Sequence, residues 1–326
     1  MNIEIYENIL EYPSDSDDTI IFNSKKWLEV LQESFGYKTL HLIFKEKERK
    51  IFISGSIINL GWFKIFYSNV PYGGFYGDLS FFEKIVPIFE EQLRNYGINR
   101  IYVTKNYFCP FPELQDYKNE IAYQTILFFD NDGIKNYHLT YKHNNRRQVK
   151  KAIKEGLVVQ EVSGNADLKK YYTMYSSTIK RKKGFQYWNK SFFDIVPEKL
   201  PEHYSVLYAL YHNEPTAGIM LIKSKDVLHY FIGASNEQYL NKRPNDFLIY
   251  NAIEKALMEG YKSFDFMLTD INDKSLLWFK EKWGSRTFVF NKFKKDITMP
   301  WKSKIFDLLY KVYSNSTVKQ IISWCR

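Results

Sequence analysis

The residues of this chain whose types and spacing suggest chemistry are mostly basic, and they are concentrated in one stretch. From Lys142 to Lys183 there are 12 lysines and arginines against 3 acidic residues, and the remaining charges of the 326 residues cancel. Focused positive charge attracts an anionic ligand, such as a phosphate or a nucleic acid. The alternative is a basic helix face that is simply solvated.

Two groups of cations occur within this stretch. The first has helical spacing, which places most of its members on one broad face, and consists of Arg146, Arg147, Lys150, Lys151 and Lys154. Such a face can follow the phosphates of a tRNA. The second is the run of four cations at 180–183, whose arginine suits a phosphate because a guanidinium donates two parallel hydrogen bonds. A solvated surface is the alternative for both groups.

Metal and thiol chemistry find little support in the sequence. Cys109 and Cys325 lie in no CxxC motif and have no histidine at ligand spacing, so we expect neither a disulfide framework nor a metal site. His143 and His229 are candidate general bases, but a lone histidine on a strand is usually structural.

The sequence shows no targeting segment and no membrane span. No apolar run approaches the roughly 18 residues that a span requires, and Met1-Asn2-Ile3-Glu4 lacks the basic-then-apolar order of a signal peptide. We therefore expect a soluble, cytoplasmic protein.

The segment 301–326 predicts a basic amphipathic helix or two. Its apolar face comprises Ile305, Leu308, Leu309 and Val312, flanked by Trp301 and Trp324. Such a helix either folds back onto a domain or lies in a membrane interface. In the second case the protein is peripheral to the inner face of the membrane.

The elements that must position these residues occur twice along the chain. In the second half, a helix over 166–180 precedes strands over 204–211, 216–223 and 227–234, a helix from Pro244 to Gly260, and a strand over 261–268. In the first half, a helix over 24–34 precedes strands over 38–44, 51–58 and 62–67, a helix over 81–96 that ends at Gly97, and a strand over 101–104. Apolar periodicity, short turns and the glycine after each long helix support this assignment.

The repeated order, α-βββ-α-β, is that of the GNAT acyltransferase core. The fold class that we predict is α/β (α+β), with two tandem GNAT-like domains, each a mixed and mostly antiparallel sheet flanked by helices. The domains are 1–132 and 133–298, with the junction near residues 130–133, and 299–326 is the C-terminal amphipathic helix.

Four stretches resemble the Fem-type aminoacyltransferases and the wider group of FemAB-like acyltransferases. They are FNSKKW at 22–27, similar to F-Q-S-x-x-W; YSNVPYGG at 67–74, similar to Y-x-P-x-G; RQVKKAIKEG at 147–156, similar to R-x-x-I-x-x-A-x-K-x-G; and FDF at 264–266 with SLLWFKEKWG at 275–284, similar to F-D-x-G … G-L-x-x-F-K-x-x-F-G. Each motif is weak alone, but their order and spacing together cover nearly the whole chain.

This resemblance implies transfer of an activated acyl group to an amine, with no metal and no cofactor. In Fem members the donor is an aminoacyl-tRNA, and the acceptor is a side-chain amine of a peptidoglycan precursor carried on a nucleotide or a lipid pyrophosphate. The first domain would be the acceptor side, and the second the donor side with the catalytic helix. The coiled-coil arm of long Fem members has no counterpart here.

The resemblance also assigns a catalytic role to two residues. Lys280 follows Phe279 in a Phe-Lys pair that lies by the reacting ester in the family, where a fixed ammonium stabilises the oxyanion formed during attack. Asp265 would orient Lys280 or act as a base. The alternatives are a surface lysine for Lys280 and a carboxylate paired within the fold for Asp265.

Substrate contacts are implied for a second set of residues. These are Tyr72 and Asp78 in the first domain, and Arg147, Arg181, Lys183, Tyr187, Tyr230 and Phe279 in the second. The segment around Arg181 resembles one that contacts acceptor phosphates, and Asp78 would hold or deprotonate the attacking ammonium. Tyr230 matches a strand tyrosine that faces the cleft, with core packing as the alternative.

Two departures from the family pattern are informative. The loop at 239–246 contains no glycine, and Pro244 lacks an N–H, which argues against a pyrophosphate cradle for CoA and for a tRNA-borne donor. Met267 stands where the family usually has glycine, so we expect the local backbone to differ.

We therefore predict an acyl- or aminoacyltransferase that forms an amide with an amine of an envelope precursor. One alternative is an acyl-CoA-dependent N-acetyltransferase of an amino sugar in envelope polysaccharide synthesis. A non-catalytic tRNA- or nucleic-acid-binding protein is the alternative from another class.

Overall fold

A computed structural model describes residues 2–7, 9–12 and 20–312 of the chain. In chain order the strands are β1 (Asn2–Tyr6), β2 (Lys38–Glu46), β3 (Arg49–Asn59), β4 (Lys64–Ser68), β5 (Phe75–Gly77), β6 (Arg100–Lys105), β7 (Lys118–Phe128), β8 (Val158–Val162), β9 (Tyr204–Tyr211), β10 (Glu214–Lys223), β11 (Val227–Ser235), β12 (Ser263–Thr269) and β13 (Arg286–Asp296). The helices are α1 (Lys25–Phe35), α2 (Phe82–Asn95), α3 (Asn131–Thr140), α4 (Arg146–Lys154), α5 (Asn165–Arg181), α6 (Lys190–Lys199), α7 (Pro244–Met258), α8 (Lys274–Glu281) and α9 (Pro300–Val312).

The chain divides into two compact units. The first comprises the described residues of Met1–Asp17, Phe22–Ile121 and Val289–Arg326, and the second those of Asp18–Ile21 and Ala122–Phe288. These boundaries lie about ten residues before the predicted ones, because β7 pairs with β12 of the second unit and β13 pairs with β6 of the first. The predicted junction is the start of α3, where the Asp130 carboxylate accepts a hydrogen bond from Gly133 N–H at 2.6 Å.

The first unit is a sheet with the strand order β1-β2-β3-β4-β6-β13, and β5 also pairs with β3. Strands β4 and β6 are parallel, and the other pairs are antiparallel. Helix α2 contributes Phe82, Ile85 and Phe89 to the buried core, together with inward side chains of β2 and β3. Ser24 caps α1 by accepting a hydrogen bond from Trp27 N–H, as its position before the helix predicts.

The second unit is a sheet with the strand order β7-β12-β11-β10-β9-β8. Its one parallel pair among the described strands is β11 with β12. The largely apolar α7 places Leu248, Ala252 and Ile253 in the core of this unit. Helix α5 packs against β10 and β11, and α6 packs against α5.

The two units repeat the predicted order of elements, and their corresponding helices end in the same way. Gly97 and Gly260 both adopt a left-handed conformation, with φ of 70° and 77°. In both cases the residue after the glycine donates its N–H to a carbonyl in the last turns of the helix. Ile98 donates to Leu93 O, and Tyr261 donates to Ala256 O. The predicted fold class of tandem GNAT-like units is therefore confirmed.

Helix α9 is folded back onto the first unit around a buried arginine. The Arg100 guanidinium donates to Asp296 at 2.5 Å and to Asp307 at 2.8 Å, and it lies over the rings of Phe63 and Phe306. Trp324 and Cys325, which the sequence analysis singled out, lie outside the described residues. None of the helices in the described part is long and apolar enough to cross a membrane.

Candidate active site

The candidate site forms where two strands of the second unit separate. Parallel β11 and β12 pair only through Val227–Ser263, Leu228–Phe264 and His229–Asp265, although both strands continue beyond that point. Each strand carries an extra residue there, because the β10–β11 register shifts at Tyr230–Ile232 and the β7–β12 register shifts between Asp265 and Leu268. Bulges bend strands and are common beside active sites. The carboxyl ends of β11 and β12 are therefore no longer paired with each other.

Met267 occupies the bulge of β12 in a conformation that is unusual for its type. Its φ of 62° lies in the left-handed region that favours glycine, so the departure in sequence is accompanied by a strained backbone. The Met267 N–H donates to the Asp265 carboxylate at 3.0 Å, which fixes the turn from one side. The turn therefore directs the Met267 carbonyl oxygen at one hydrogen-bonding partner.

That partner is Lys280, whose position the sequence analysis singled out. Lys280 lies on α8 and is only 2% exposed, and its Nζ donates to the carbonyl oxygens of Met267 at 3.2 Å and Leu268 at 2.8 Å. Burial lowers the pKa of the Lys280 ammonium to about 7, and the nearby charges of Asp265 and Asp273 oppose this shift. The ammonium has three donors, so one remains beyond the two carbonyls. The alternative of a surface lysine is excluded by this burial.

Asp265 is part of a buried chain of hydrogen bonds. Its second oxygen lies 2.8 Å from His229 Nδ1, and His229 Nε2 lies 2.9 Å from Ser224 Oγ, which also accepts from Ile21 N–H at 3.1 Å. His229 and Asp265 are fully buried. This arrangement ties the paired ends of β11 and β12 together. Asp265 is thus paired within the fold, and it acts on Lys280 through its charge.

The helix that carries Lys280 is fixed by several contacts. Asp273 caps α8 by accepting from Leu276 N–H at 2.9 Å. Lys282 forms a buried ion pair with Asp246 of α7, and its ammonium lies over the rings of Phe279 and Trp283. Phe279 is half-buried against this cation. These contacts hold the end of α8 in one orientation, as positioning of a catalytic lysine requires.

A cavity of about 570 Å³ opens at the carboxyl end of β11. Its charged lining consists of Lys170, Arg181, Glu214 and Glu237. Two cations and two carboxylates suit a ligand that carries both negative and positive groups. Ligands commonly bind beyond the carboxyl ends of the central strands of α/β sheets.

Arg181 is the predicted site residue that this cavity contains. Its guanidinium donates to the Ser235 carbonyl at 3.1 Å and to Ser235 Oγ at 3.3 Å, which holds the side chain against the end of β11. Lys183 and Tyr187 follow it as exposed residues outside the cavity lining. Trp188, which the sequence analysis passed over, is the buried anchor of this segment and packs against Phe231.

Tyr230 lies on β11 at the bulge. Its side chain is half-buried, its ring centroid is 6.4 Å from that of Phe266, and burial raises the pKa of the hydroxyl to about 12. Gly233 makes room for it, because a Cβ at this position would lie 2.0 Å from the tyrosine oxygen. The tyrosine is therefore a neutral hydrogen-bonding group at the point where β11 and β12 separate.

Arg147 and the other cations of the first basic group lie on α4, and all five are exposed. Val149 and Ala152 form the buried side of this helix. The five-residue segment before α4, 141–145, is a π-helix, and Asn145 within it donates to the Lys282 carbonyl at 2.8 Å. This contact connects the basic helix to the end of α8.

The two predicted residues of the first unit have different environments. Tyr72 is buried among Phe22, Phe108 and Phe290, so its ring is a core element of that unit. Asp78 is exposed and caps a short 3-10 helix. Hydrogen bonds from Ser80 lower the pKa of Asp78, which makes it a weak base. Their predicted contacts with a substrate remain predictions.

The segment before α7 shows little provision for a pyrophosphate. Residues Glu237–Lys242 form a 3-10 helix in which the N–H groups of Gln238 and Tyr239 already bond to Asn236. Lys242 pairs with Glu155 at 2.7 Å. Backbone donors that are used within the chain are not available to a phosphate. Among the described residues, no group of three or more metal-ligating side chains is close enough to hold a metal ion.

Comparison with known families finds a domain model that covers part of this site and ends before Lys280. Residues 141–275 match the model described as an acetyltransferase (GNAT) domain, which is less than half of the chain. A comparison with curated proteins finds no significant match. The predicted enzyme class, an acyltransferase of the GNAT superfamily, is confirmed at the level of this domain.

Solved structures resemble the whole chain. FemX has a TM-score of 0.69 at 14% identity and covers 95% of this chain and 100% of its own. The C-terminal domain of a protein described as a lysylphosphatidylglycerol synthetase from Agrobacterium fabrum has a TM-score of 0.59 at 12% identity, with coverages of 93% and 98%. A tandem GNAT protein from the clavulanic acid biosynthesis pathway has a TM-score of 0.55 at 7% identity, and the match covers 91% of this chain and 99% of that one. At these identities the likeness concerns the fold, and it confirms the predicted resemblance at that level.

Proposed function

We propose that the protein transfers an activated acyl group, carried as an ester on tRNA, to an amine of a cell-envelope precursor, without a metal or a cofactor. The observation that carries this proposal is the buried Lys280, bound to two carbonyls where β11 and β12 separate. A cation fixed at such a point stabilises negative charge that develops on an ester carbonyl when an amine attacks it.

In this mechanism Lys280 supplies its third N–H to the oxyanion of the tetrahedral intermediate. The two carbonyl acceptors hold the ammonium in place, so little reorganisation accompanies the reaction. Collapse of the intermediate breaks the ester C–O bond, the ribose oxygen takes up the proton that the attacking nitrogen releases, and an amide is left on the acceptor. The attacking amine must lose its proton first, and the acidic side chains of the cavity, Glu214 and Glu237, would hold it as an ammonium before this step.

The acceptor is proposed to carry phosphate as well as an amine. Arg181, fixed on Ser235, would donate to the phosphate from the cavity wall, and Lys170 would add a second positive charge. Nucleotide-linked and lipid-linked envelope precursors share this chemistry. The fold that this chain shares with FemX and with the lysylphosphatidylglycerol synthetase domain supports an acceptor from the cell envelope.

Acyl-CoA is the alternative donor. The GNAT acetyltransferase match favours acyl-CoA, and with it N-acetylation of an amino sugar. The occupied N–H groups at 238–239 and the five exposed cations of α4 favour tRNA. We place tRNA first on these two observations.

The test is a transfer assay with both donors. Purified protein is incubated with a nucleotide-linked muropeptide and either a mixture of charged tRNAs or acetyl-CoA, and product is followed by mass spectrometry. Amide formation from charged tRNA is the expected result. Product from acetyl-CoA alone would establish the N-acetyltransferase instead. Salt-sensitive tRNA binding without transfer to any acceptor amine would support the non-catalytic tRNA-binding alternative.

A further inference from the structure

Helix α9 has an apolar face that points away from the protein. Phe306 and Ser303 are buried on its inner side. The opposite side carries Trp301, Ile305, Leu308 and Leu309, which are 55%, 42%, 62% and 39% exposed. A surface helix normally places polar residues on its outer side, so α9 reverses the usual pattern.

Two further residues extend this apolar face. Met299, just before the helix, is 64% exposed, and Trp62 from the β3–β4 turn is 47% exposed. The Trp62 ring lies 6.3 Å from that of Phe306, which places it at the edge of α9. Contiguous exposed apolar surface of this kind marks an interaction site.

The orientation of α9 is fixed by the protein beneath it. Asp307 receives hydrogen bonds from Arg100 at 2.8 and 3.2 Å, and Phe306 stacks on Phe63 with a centroid distance of 4.1 Å. A buried arginine with two carboxylate partners is costly to disrupt. The helix therefore cannot turn its apolar side inward without breaking these contacts.

The charges around the apolar face are positive. Lys302 and Lys304 flank it, and the Lys302 ammonium lies 5.8 Å from the centre of the Trp301 ring. Asp307 is neutralised by Arg100. In the sequence from 299 to 326 there are five lysines and arginines and one acidic residue. A partner for this surface must therefore be apolar in its interior and negative at its boundary.

We propose that the outer face of α9, with Met299 and Trp62, docks on an anionic phospholipid bilayer. The helix would lie in the plane of the membrane, with Ile305 and Leu308 in the acyl region and the lysines at the headgroups. Indole rings prefer this interface, which suits Trp62 and Trp301. The proposal is independent of the proposed enzymatic function.

A second copy of the chain is a less suitable partner. A two-fold symmetric contact would bring the same patch of each copy together and place Lys302 and Lys304 near their equivalents. An anionic bilayer offers an apolar interior to the apolar face of α9 and negative headgroups to the lysines.

The experiment is vesicle co-sedimentation of the full chain with phosphatidylcholine vesicles, with and without phosphatidylglycerol. The double variant Ile305→Asn/Leu308→Asn removes apolar contact, and the control Met258→Asn changes a methionine that is 80% exposed on α7. We expect the partition coefficient on anionic vesicles to fall roughly tenfold or more for the double variant and to be unchanged for the control. The double variant Lys302→Glu/Lys304→Glu should lower the partition coefficient about fivefold or more per lysine on vesicles that contain phosphatidylglycerol. It should leave the partition coefficient on pure phosphatidylcholine vesicles unchanged.

The melting temperature of each variant, measured alongside, shows that the chain remains folded. The proposal is overturned if the wild type does not bind anionic vesicles, or if the double variant binds them as the wild type does. It is also overturned if the wild type forms a dimer in sedimentation velocity that the same double variant abolishes, since the face would then be an interface between copies.

Discussion

The ammonium of Lys280 is hydrogen-bonded to the carbonyl of Met267, a residue whose backbone is left-handed. The lysine and the strained turn therefore support each other, because the turn directs two successive carbonyls at one cation and the cation compensates their burial. Lys280 comes from α8 and Met267 from β12, so the contact exists only after these two elements have packed. A site built in this way is sensitive to changes in either partner.

Removal of the Lys280 charge should reduce catalysis. Lys280→Met is expected to lower kcat by about 10²–10³-fold, the usual cost of losing one donor to an oxyanion. Lys274→Met, an exposed change on the same helix, is the matched control and should keep full activity. Steady-state rates and melting temperatures of both variants provide the check, and normal turnover in a folded Lys280→Met variant would refute the assignment.

Stability should depend on pH through Lys280. In the unfolded chain this amine keeps its proton up to about pH 10.4, whereas in the folded protein its pKa is about 7. The unfolded state binds more protons between these values, so the free energy of unfolding rises with pH across this window. Urea denaturation should show the wild type gaining stability relative to Lys280→Met from pH 7 to pH 10. Parallel pH profiles of the two proteins would contradict this.

The charge of Asp265 should tune the same group. Asp265 raises the pKa of Lys280 against the effect of burial, so Asp265→Asn should lower that pKa further. Because the proposed mechanism uses the protonated lysine, the alkaline limb of kcat/KM should move to lower pH. Asparagine can still accept from Met267 N–H, and its amide N–H can donate to His229 Nδ1 in the tautomer of that histidine that donates from Nε2 to Ser224. A melting temperature checks that the variant is folded. Asp270→Asn, an exposed neighbour, should leave the pH profile unchanged.

Acceptor binding should depend on Arg181. Arg181→Ala removes the guanidinium from the cavity wall and is expected to raise the KM for the acceptor roughly tenfold or more, the worth of a hydrogen bond to a charged group. The KM for the donor should not change. Lys182→Ala alters the adjacent exposed cation and serves as the control. An equal change in both KM values for Arg181→Ala would indicate a general disturbance of the unit.

Binding of tRNA should depend on the cations of α4. Reversal of three of them, in Lys150→Glu/Lys151→Glu/Lys154→Glu, should weaken binding and reduce the slope of log K against log salt by about 0.7–0.9 for each phosphate contact that is lost. Filter binding over a range of salt concentrations measures this slope. Lys225→Glu, an exposed change in the β10–β11 turn, should leave it unaltered.

Much of the fold could be predicted from local patterns. Gly97 and Gly260 mark the ends of the two long helices because each allows the left-handed cap, and the turns between strands are equally local signals. The predicted bounds of the repeated elements agree with the structure to within two residues. The unit boundaries were less predictable, because the assignment of β7 and β13 depends on which distant strand each one meets.

The candidate site was only partly predictable for a similar reason. The position of Lys280 followed from a resemblance in sequence. Its carbonyl partners depend on the bulge at Met267, and a methionine in a sequence does not predict a bulge. Ser235, Glu214 and Glu237 were missed because they become neighbours of Arg181 only through the pairing of β9, β10 and β11. Burial of Tyr72 likewise reflects tertiary packing that no local pattern contains.

The pairing of β13 with β6 has a consequence for synthesis of the chain. The second unit ends at Phe288, within the first residues of β13, whereas the first unit needs Asn291–Asp296 of β13 to complete its sheet. On the ribosome β6 therefore remains an open strand edge while residues 106–290 are synthesised, which takes on the order of ten seconds or more at ordinary translation rates. Exposed edges invite pairing with other chains. The nascent protein thus passes through a period in which chaperone protection of β6 would be most valuable.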